Sequence, residues 1–177
     1  MANLPAVFLD RDGIINRAVV RDGKPYPPAR LSDVEILPGA ISSIQRLAER
    51  GYVLIGITNQ PDVARGTQSR EVVEAINAMI QSRLPLREIF VCYHDNVDNC
   101  NCRKPKPGLI LQAVKKYGLD ISQSWMVGDR WKDIAAGQAA GLKTIFIDYN
   151  YAETYKGSPP NFTVENISYI SDIILKE

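Results

Sequence analysis

Short apolar runs alternate with amphipathic stretches along the chain. "AVFL" (6–9), "YVLIGIT" (52–58), "IFVCY" (89–93), "SWMVG" (124–128) and "KTIFI" (143–147) are rich in β-branched residues and too short for helices, so each predicts a buried strand. Between them lie the amphipathic segments "PGAISSIQRLAER" (38–50), "SREVVEAINAMIQSRL" (69–84), "KPGLILQAVKKYG" (106–118) and "KDIAAGQAAG" (132–141), which predict helices. Pro38 suits a helix start, and Gly51, Gly118 and Gly141 stand where helices should stop. Strand and helix in alternation predict an α/β fold, a Rossmann-like, doubly wound parallel sheet with helices on both faces.

Two segments break the rhythm. Residues 13–37 contain Pro25, Pro27 and Pro28 and predict a loop or small hairpin. Residues 148–177 begin as a polar, aromatic loop and end in a short apolar stretch that predicts a terminal helix. No repeat, low-complexity tract or linker interrupts the pattern, so residues 1–177 are expected to form one domain.

Composition narrows the function classes. At 45% hydrophobic and 23% charged residues, the chain is ordinary globular protein. A net charge of +1 supplies no basic face, which argues against nucleic acid as a partner. No apolar run approaches the roughly 18 residues of a membrane span. The N-terminal "MANLPAVFLD" lacks the basic region of a signal peptide. A cytoplasmic monomer acting on a small molecule is therefore expected.

Ligands of open α/β sheets bind at the carboxyl ends of the strands. Those ends carry Asp10 and Asp12 after the first strand, Thr58 and Asn59 after the second, and Asp129 after the fourth, while Arg103, Lys104 and Lys106 follow the third. Asp10 and Asp12 are two apart, so in extended chain they face the same way while Arg11 points elsewhere. Paired carboxylates suit one acid as nucleophile and one as general acid/base, and close acids call for a cation between them. Asp129 adds a third oxygen ligand, the set that Mg²⁺ prefers. Thr58 and a lysine are natural partners for phosphate oxygens. The chemistry indicated is phosphoryl transfer through an aspartyl-phosphate.

"DRDG" after the first strand, "TN" after the second, a lysine ahead of a helix and "VGDRWKD" after the fourth resemble the four motifs of the haloacid dehalogenase (HAD) superfamily, over roughly residues 5–148. "FLDRDGIIN", "ITNQPDVARG" and "CNCRKPKPG" are similar to the D-glycero-D-manno-heptose 1,7-bisphosphate phosphatases and the related histidinol-phosphate phosphatases. The resemblance implies Asp10 as nucleophile, Asp12 as acid/base, and Mg²⁺ held by Asp10, the Asp12 carbonyl and Asp129. It implies Thr58 and Lys104 on the phosphoryl group, Lys104 being favoured over Lys106, and no large cap domain. Arg11, Asn59, Arg103 and Arg130 are the expected substrate-binding residues. The chain departs from the family pattern at Ile14, Pro61 and Asp62 and in the segment after Asn16, none of which belongs to the reacting set.

All three cysteines lie within eleven residues, with the one histidine among them. Cys92-x-His94 followed by Cys100-x-Cys102 offers four ligands, the number a tetrahedral zinc takes, and a closed site of that kind is structural. The resembling phosphatases carry the same C-x-H and C-x-C pairs, which implies a zinc-binding loop that pins Arg103 and Lys104. The substrate expected first is a heptose bisphosphate, with histidinol phosphate second and a polynucleotide 3′-phosphate a weaker third. A non-catalytic, zinc-stabilised binding module is the reading from a different class, and the complete set of five reacting residues argues against it.

Overall fold

A computed structural model describes residues 3–177. Six strands form one sheet: β1 (Leu4–Leu9), β4 (Val53–Asn59), β5 (Leu86–Cys92), β6 (Leu119–Gly128), β7 (Lys143–Ile147) and β8 (Phe162–Val164). Their order is β5-β4-β1-β6-β7-β8, and every pairing is parallel. Alternation along β1 explains the layers. Val7 and Leu9 face one side with Ile44 and Leu47 of α1 (Pro38–Glu49), Ile76 and Ile80 of α2 (Arg70–Arg83), and Ile170 and Ile174 of α5 (Ile170–Ile174). Ala6 and Phe8 face the other with Leu109 and Ala113 of α3 (Gly108–Tyr117) and Ala136 of α4 (Trp131–Ala139). This is the doubly wound arrangement with helices on both faces.

The chain runs β1, β4, β5 outward on one side and then returns to β6 on the other side of β1. That reversal is a switch point, where an open parallel sheet forms its crevice. The carboxyl ends of β1, β4, β5 and β6 thus converge as expected.

Three details differ from the pattern reading. β5 starts at Leu86 and β6 at Leu119, several residues earlier than their apolar centres suggest. In β6 the pairing with β1 jumps from Asp120 to Trp125, and the buried Ser124 hydroxyl accepts the Ala6 N–H at 2.8 Å across that gap. The third is β8, a strand of only three residues inside the segment expected to be a loop. It is fixed at its start: the Asn161 side chain accepts from Thr144 N at 2.8 Å, and Phe162 packs on Trp125 with ring centres 6.0 Å apart.

The segment between β1 and α1 forms the expected hairpin, β2 (Val19–Arg21) with β3 (Lys24–Tyr26). Its turn residues Asp22 and Gly23 both have positive φ, 49° and 70°, the two-residue turn that matches strand twist. The tip is docked on the loop after β7, where the Gly23 carbonyl accepts Ala152 N at 2.8 Å. A Cβ on Gly23 would lie 2.7 Å from the Ala152 Cβ, so this approach requires glycine. The hairpin and the cysteine loop are the insertions beside the sheet edge, and neither is a large cap. No helix among the described residues is long and apolar enough to cross a membrane.

Candidate active site

Asp10 is the first residue past β1, and its Oδ1 accepts from the Lys104 ammonium and from Arg11 N, each at 2.8 Å. The same ammonium reaches Asp133 Oδ1 at 2.7 Å and the Ile57 carbonyl at 2.8 Å. All three of its protons are thereby donated, and Lys104 is buried. Asn59 fixes the approach: its side-chain amide pairs with the Lys104 backbone, donating to the carbonyl and accepting from the N–H, both at 3.1 Å. Asn59, expected to bind substrate, lines the cavity and uses its amide oxygen and one amide proton to place this lysine. Lys106 instead donates to the Asn99 side chain and to the Cys100 carbonyl.

Asp129 follows β6 and is buried with no hydrogen-bond partner within 3.5 Å of either carboxylate oxygen, the Tyr151 hydroxyl standing farther off beside it. It lies against the first loop, where a Cβ on Gly13 would stand 2.0 Å from Asp129 Oδ2; Gly13 has φ +94°. Carboxylate oxygens of Asp10, Asp129 and Asp133 lie within 4.8 Å of one another. Burial, and then the charges of Asp10 and Asp133, push the Asp129 carboxyl well above the usual range. Burial, then Asp133, raise Asp10 to about 7 despite Lys104. Burial works against the charge on Lys104, but Asp10 and Asp133 outweigh it and raise its pKa. Three buried acids around one ammonium are electrostatically incomplete, and their all-oxygen donor set fits a hard divalent cation.

Asp133 belongs to this centre and was missed in the sequence. It sits in the first turn of α4, where its Oδ2 also accepts Arg130 N at 3.0 Å, and its side chain passes over Gly128, whose Cβ would clash at 2.2 Å. The second acid of "VGDRWKD", at helical spacing from Asp129, was the available signal.

Asp12 is held by four donors. Arg11 Nε and Asn16 Nδ2 reach Oδ1 at 3.2 and 3.0 Å, while Arg11 Nη2 and Gln60 Nε2 reach Oδ2 at 3.0 and 2.8 Å. Gln60 also donates to Thr58 Oγ1 at 2.8 Å, and Arg11 Nη1 to Asn77 Oδ1 at 2.9 Å. Asp10 and Asp12 both line the cavity, as their spacing suggests, although the chain turns at Gly13. Arg11 does not: it is fully buried beneath them, so its expected contact with substrate gives way to a grip on Asp12.

The cavity above these groups holds about 280 Å³. Its floor carries Asp10, Asp12, Thr58, Lys104, Asp129 and Asp133, and its walls carry Lys24, Arg65, Arg103, Arg130 and Lys132. Arg103 is braced by the cysteine loop, donating to Asn96 Oδ1 at 2.9 Å and the His94 carbonyl at 3.2 Å. Arg130 is paired with Glu153, and Arg65 grips both oxygens of Asp95 at 2.7 Å. Hydrogen bonds from Arg65, and then from Asn96 N, lower the Asp95 carboxyl to about 2. Burial, with Arg103 and Arg130 adding to it, lowers the Lys132 ammonium.

Beside the cavity, donor atoms of Cys92, His94, Cys100 and Cys102 also gather within 4.8 Å. The Sγ of Cys102 lies 3.2 Å from Cys92, 3.5 Å from Cys100 and 3.4 Å from His94 Nδ1, and no disulfide forms. A tetrahedral zinc with thiolate bonds near 2.3 Å would space its ligands at about 3.8 Å, so the four groups need only slight expansion to hold one. The expected metal-binding loop is present.

Comparisons with known proteins agree with this geometry. Residues 101–168 match the HAD-hydrolase-like family. The D-glycero-beta-D-manno-heptose-1,7-bisphosphate 7-phosphatase of Pasteurella multocida is 32% identical, over 96% of both chains. The chain belongs to this HAD-type phosphatase family. The Helicobacter pylori member named for the same activity is 38% identical over 78% of this chain and 80% of its own. Photorhabdus laumondii has a relative named for the alpha anomer, 33% identical over 97% of both. The solved D,D-heptose 1,7-bisphosphate phosphatase of B. bronchiseptica, complexed with magnesium and phosphate, superposes with a TM-score of 0.82 at 25% identity, covering 98% of this phosphatase and 99% of its own chain.

Gly13→Ala is expected to cost about 3 kcal/mol or more in urea unfolding, through both the positive φ and the collision with Asp129, and to abolish Mg²⁺ binding measured by calorimetry. A second expectation concerns pH. The raised acids bind protons in the folded protein that they would release when unfolded, so without a divalent cation they favour folding at low pH and cost stability as pH rises through about 7. Added MgCl₂ should therefore raise Tm little below about pH 6 and clearly above about pH 8.

Proposed function

We propose that this chain is a Mg²⁺-dependent phosphatase that removes the 7-phosphate of D-glycero-D-manno-heptose 1,7-bisphosphate, working as a cytoplasmic, single-domain monomer. The observation that carries the reading is the Lys104 ammonium bridging Asp10 and Asp133 beside the unpaired Asp129. Family membership and the names of the relatives supply the substrate.

Asp10, the Asp12 carbonyl and Asp129 would hold Mg²⁺, which when bound neutralises the carboxylates and polarises the phosphoryl oxygens. The Asp10 carboxylate attacks phosphorus, and the bond to the sugar oxygen breaks as the new P–O bond forms. Asp12 in its acid form gives that oxygen its proton. Water then attacks the aspartyl-phosphate, Asp12 takes the water's proton, and inorganic phosphate leaves Asp10. In the resting arrangement Asp12 accepts four hydrogen bonds, the state suited to its base step. Thr58 Oγ1 already accepts from Gln60, so its own proton is free for a phosphoryl oxygen. Lys104 orients Asp10 and places positive charge beside the transferring group. Cys92, His94, Cys100 and Cys102 would hold a structural Zn²⁺, which would fix the loop leading into Arg103 and Lys104.

Initial rates on both anomers of heptose 1,7-bisphosphate, on heptose 7-phosphate and on histidinol phosphate test the substrate. A heptose bisphosphate should be fastest, and faster turnover of histidinol phosphate would overturn the assignment. Asp10→Asn should be inactive with its fold and zinc intact, since an amide is a poor nucleophile; activity above about a tenth of wild type would sink the aspartyl-phosphate route. Elemental analysis should find about one zinc per chain, reduced in Cys100→Ser together with Tm.

A further inference from the structure

The cavity floor is acidic and its walls are basic, and the wall cations differ in how far the protein itself pairs them. Six cationic side chains line the cavity. Lys104 serves Asp10 and Asp133; Arg65 pairs with Asp62 and Asp95; Arg130 pairs with Glu153. Arg103 gives two N–H groups to Asn96 and the His94 carbonyl and lies 4.0 Å from Asp95. Among the described residues Lys24 and Lys132 have neither a carboxylate within 4.0 Å nor a hydrogen-bond acceptor, and the Lys132 ammonium rests over the Trp131 ring, 5.7 Å from its centroid.

These two lysines are not equivalent. Lys24 is exposed on the hairpin, where an unbound lysine is simply hydrated. Lys132 is half-buried and occupies the second position of α4. A cation there faces the positive end of the helix dipole, and its charged neighbours are Arg103, Arg130, Glu153 and Asp133, with burial and the two guanidiniums outweighing the two carboxylates. Burial, the helix dipole and the two guanidiniums together disfavour the ammonium, so an anion beside it would be stabilising. Its half-burial also reduces the side-chain freedom lost when a ligand engages it.

We propose that Lys132 is a specificity-determining residue that receives the second anionic group of the substrate, the one that is not transferred. An arriving phosphate would supply the missing counter-charge to Lys132 and share it with Arg103, whose guanidinium is already braced at the cavity wall. The inference rests on the phosphatase reading of the floor, because it takes the transferred phosphate to sit at Asp10. It deepens that reading by assigning selection of bisphosphate over monophosphate to a residue outside the reacting set.

The test is steady-state kinetics of wild type, Lys132→Ala and Lys132→Arg on heptose 1,7-bisphosphate and heptose 7-phosphate. The same measurements are made on fructose 1,6-bisphosphate and fructose 6-phosphate. Lys132→Ala should raise KM for the bisphosphate about tenfold, leave KM for the monophosphate unchanged, and keep kcat within about twofold on both. Lys132→Arg should restore most of the bisphosphate KM. Equal changes on bisphosphate and monophosphate, or none, would overturn the assignment, since a merely structural role moves both alike. A wild type that turns over the fructose pair but not the heptose pair would overturn the substrate reading instead, and the fructose KM ratio would then decide the role of Lys132.

Discussion

One ammonium ion holds the centre of this molecule together. Lys104 is buried with its three protons on Asp10, Asp133 and the Ile57 carbonyl, and it balances only part of the charge of three buried carboxylates. Buried charge on that scale is tolerated only where it is paired or coordinates a metal. The remaining deficit, concentrated on the unpaired Asp129, defines where a divalent cation belongs. Much of the surrounding structure serves to keep this arrangement in place. Asn59 clamps the lysine backbone from β4, the cysteine cluster anchors the loop that delivers it, and glycines at 13 and 128 leave room for Asp129 and Asp133.

The walls obey a second rule, in which most positive charge is already satisfied by the protein. Arg65, Arg103 and Arg130 are braced by Asp95, the cysteine loop and Glu153, so they are ordered before any ligand arrives. Ordered guanidiniums cost less entropy on binding than free ones. The cavity thus offers an acidic, cation-demanding floor and a basic, largely prearranged rim. A phosphate that reacts at one end and a second anionic group at the other is the ligand shape this polarity selects.

Most of this was legible in the residues. β-branched runs and glycine stops placed five of the six strands and the helices between them, because local pattern and tertiary role agree in a buried parallel sheet. Asp10, Asp12, Thr58, Lys104 and Asp129 were read from strand ends, and the structure gathers them in one cavity. β8 escaped because three residues carry no periodicity, and what orders it is a side-chain cap from Asn161 and a distant tryptophan. Asp133 escaped because an acid in a helix's first turn also reads as an ordinary cap, a role it does fill toward Arg130 N. Arg11 lies beneath the cavity, and Asn59, although on its lining, also serves the protein, for a common reason. Polar residues at strand ends look available to a ligand, but partners distant in sequence, Asn77 and Lys104, engage these two within the protein.

The central claim is that Asp129 is an uncompensated carboxylate kept in place for a cation. Unfolding of Asp129→Asn and wild type at about pH 8, with zinc retained and with or without MgCl₂, tests it most directly. Without Mg²⁺ the variant should be more stable than wild type, by about 1 kcal/mol or more, because an acid whose ionisation burial disfavours has been replaced by a neutral amide. Adding Mg²⁺ should stabilise wild type and leave the variant unchanged. A variant that is less stable than wild type without Mg²⁺, yet still gains stability when it is added, would contradict the account.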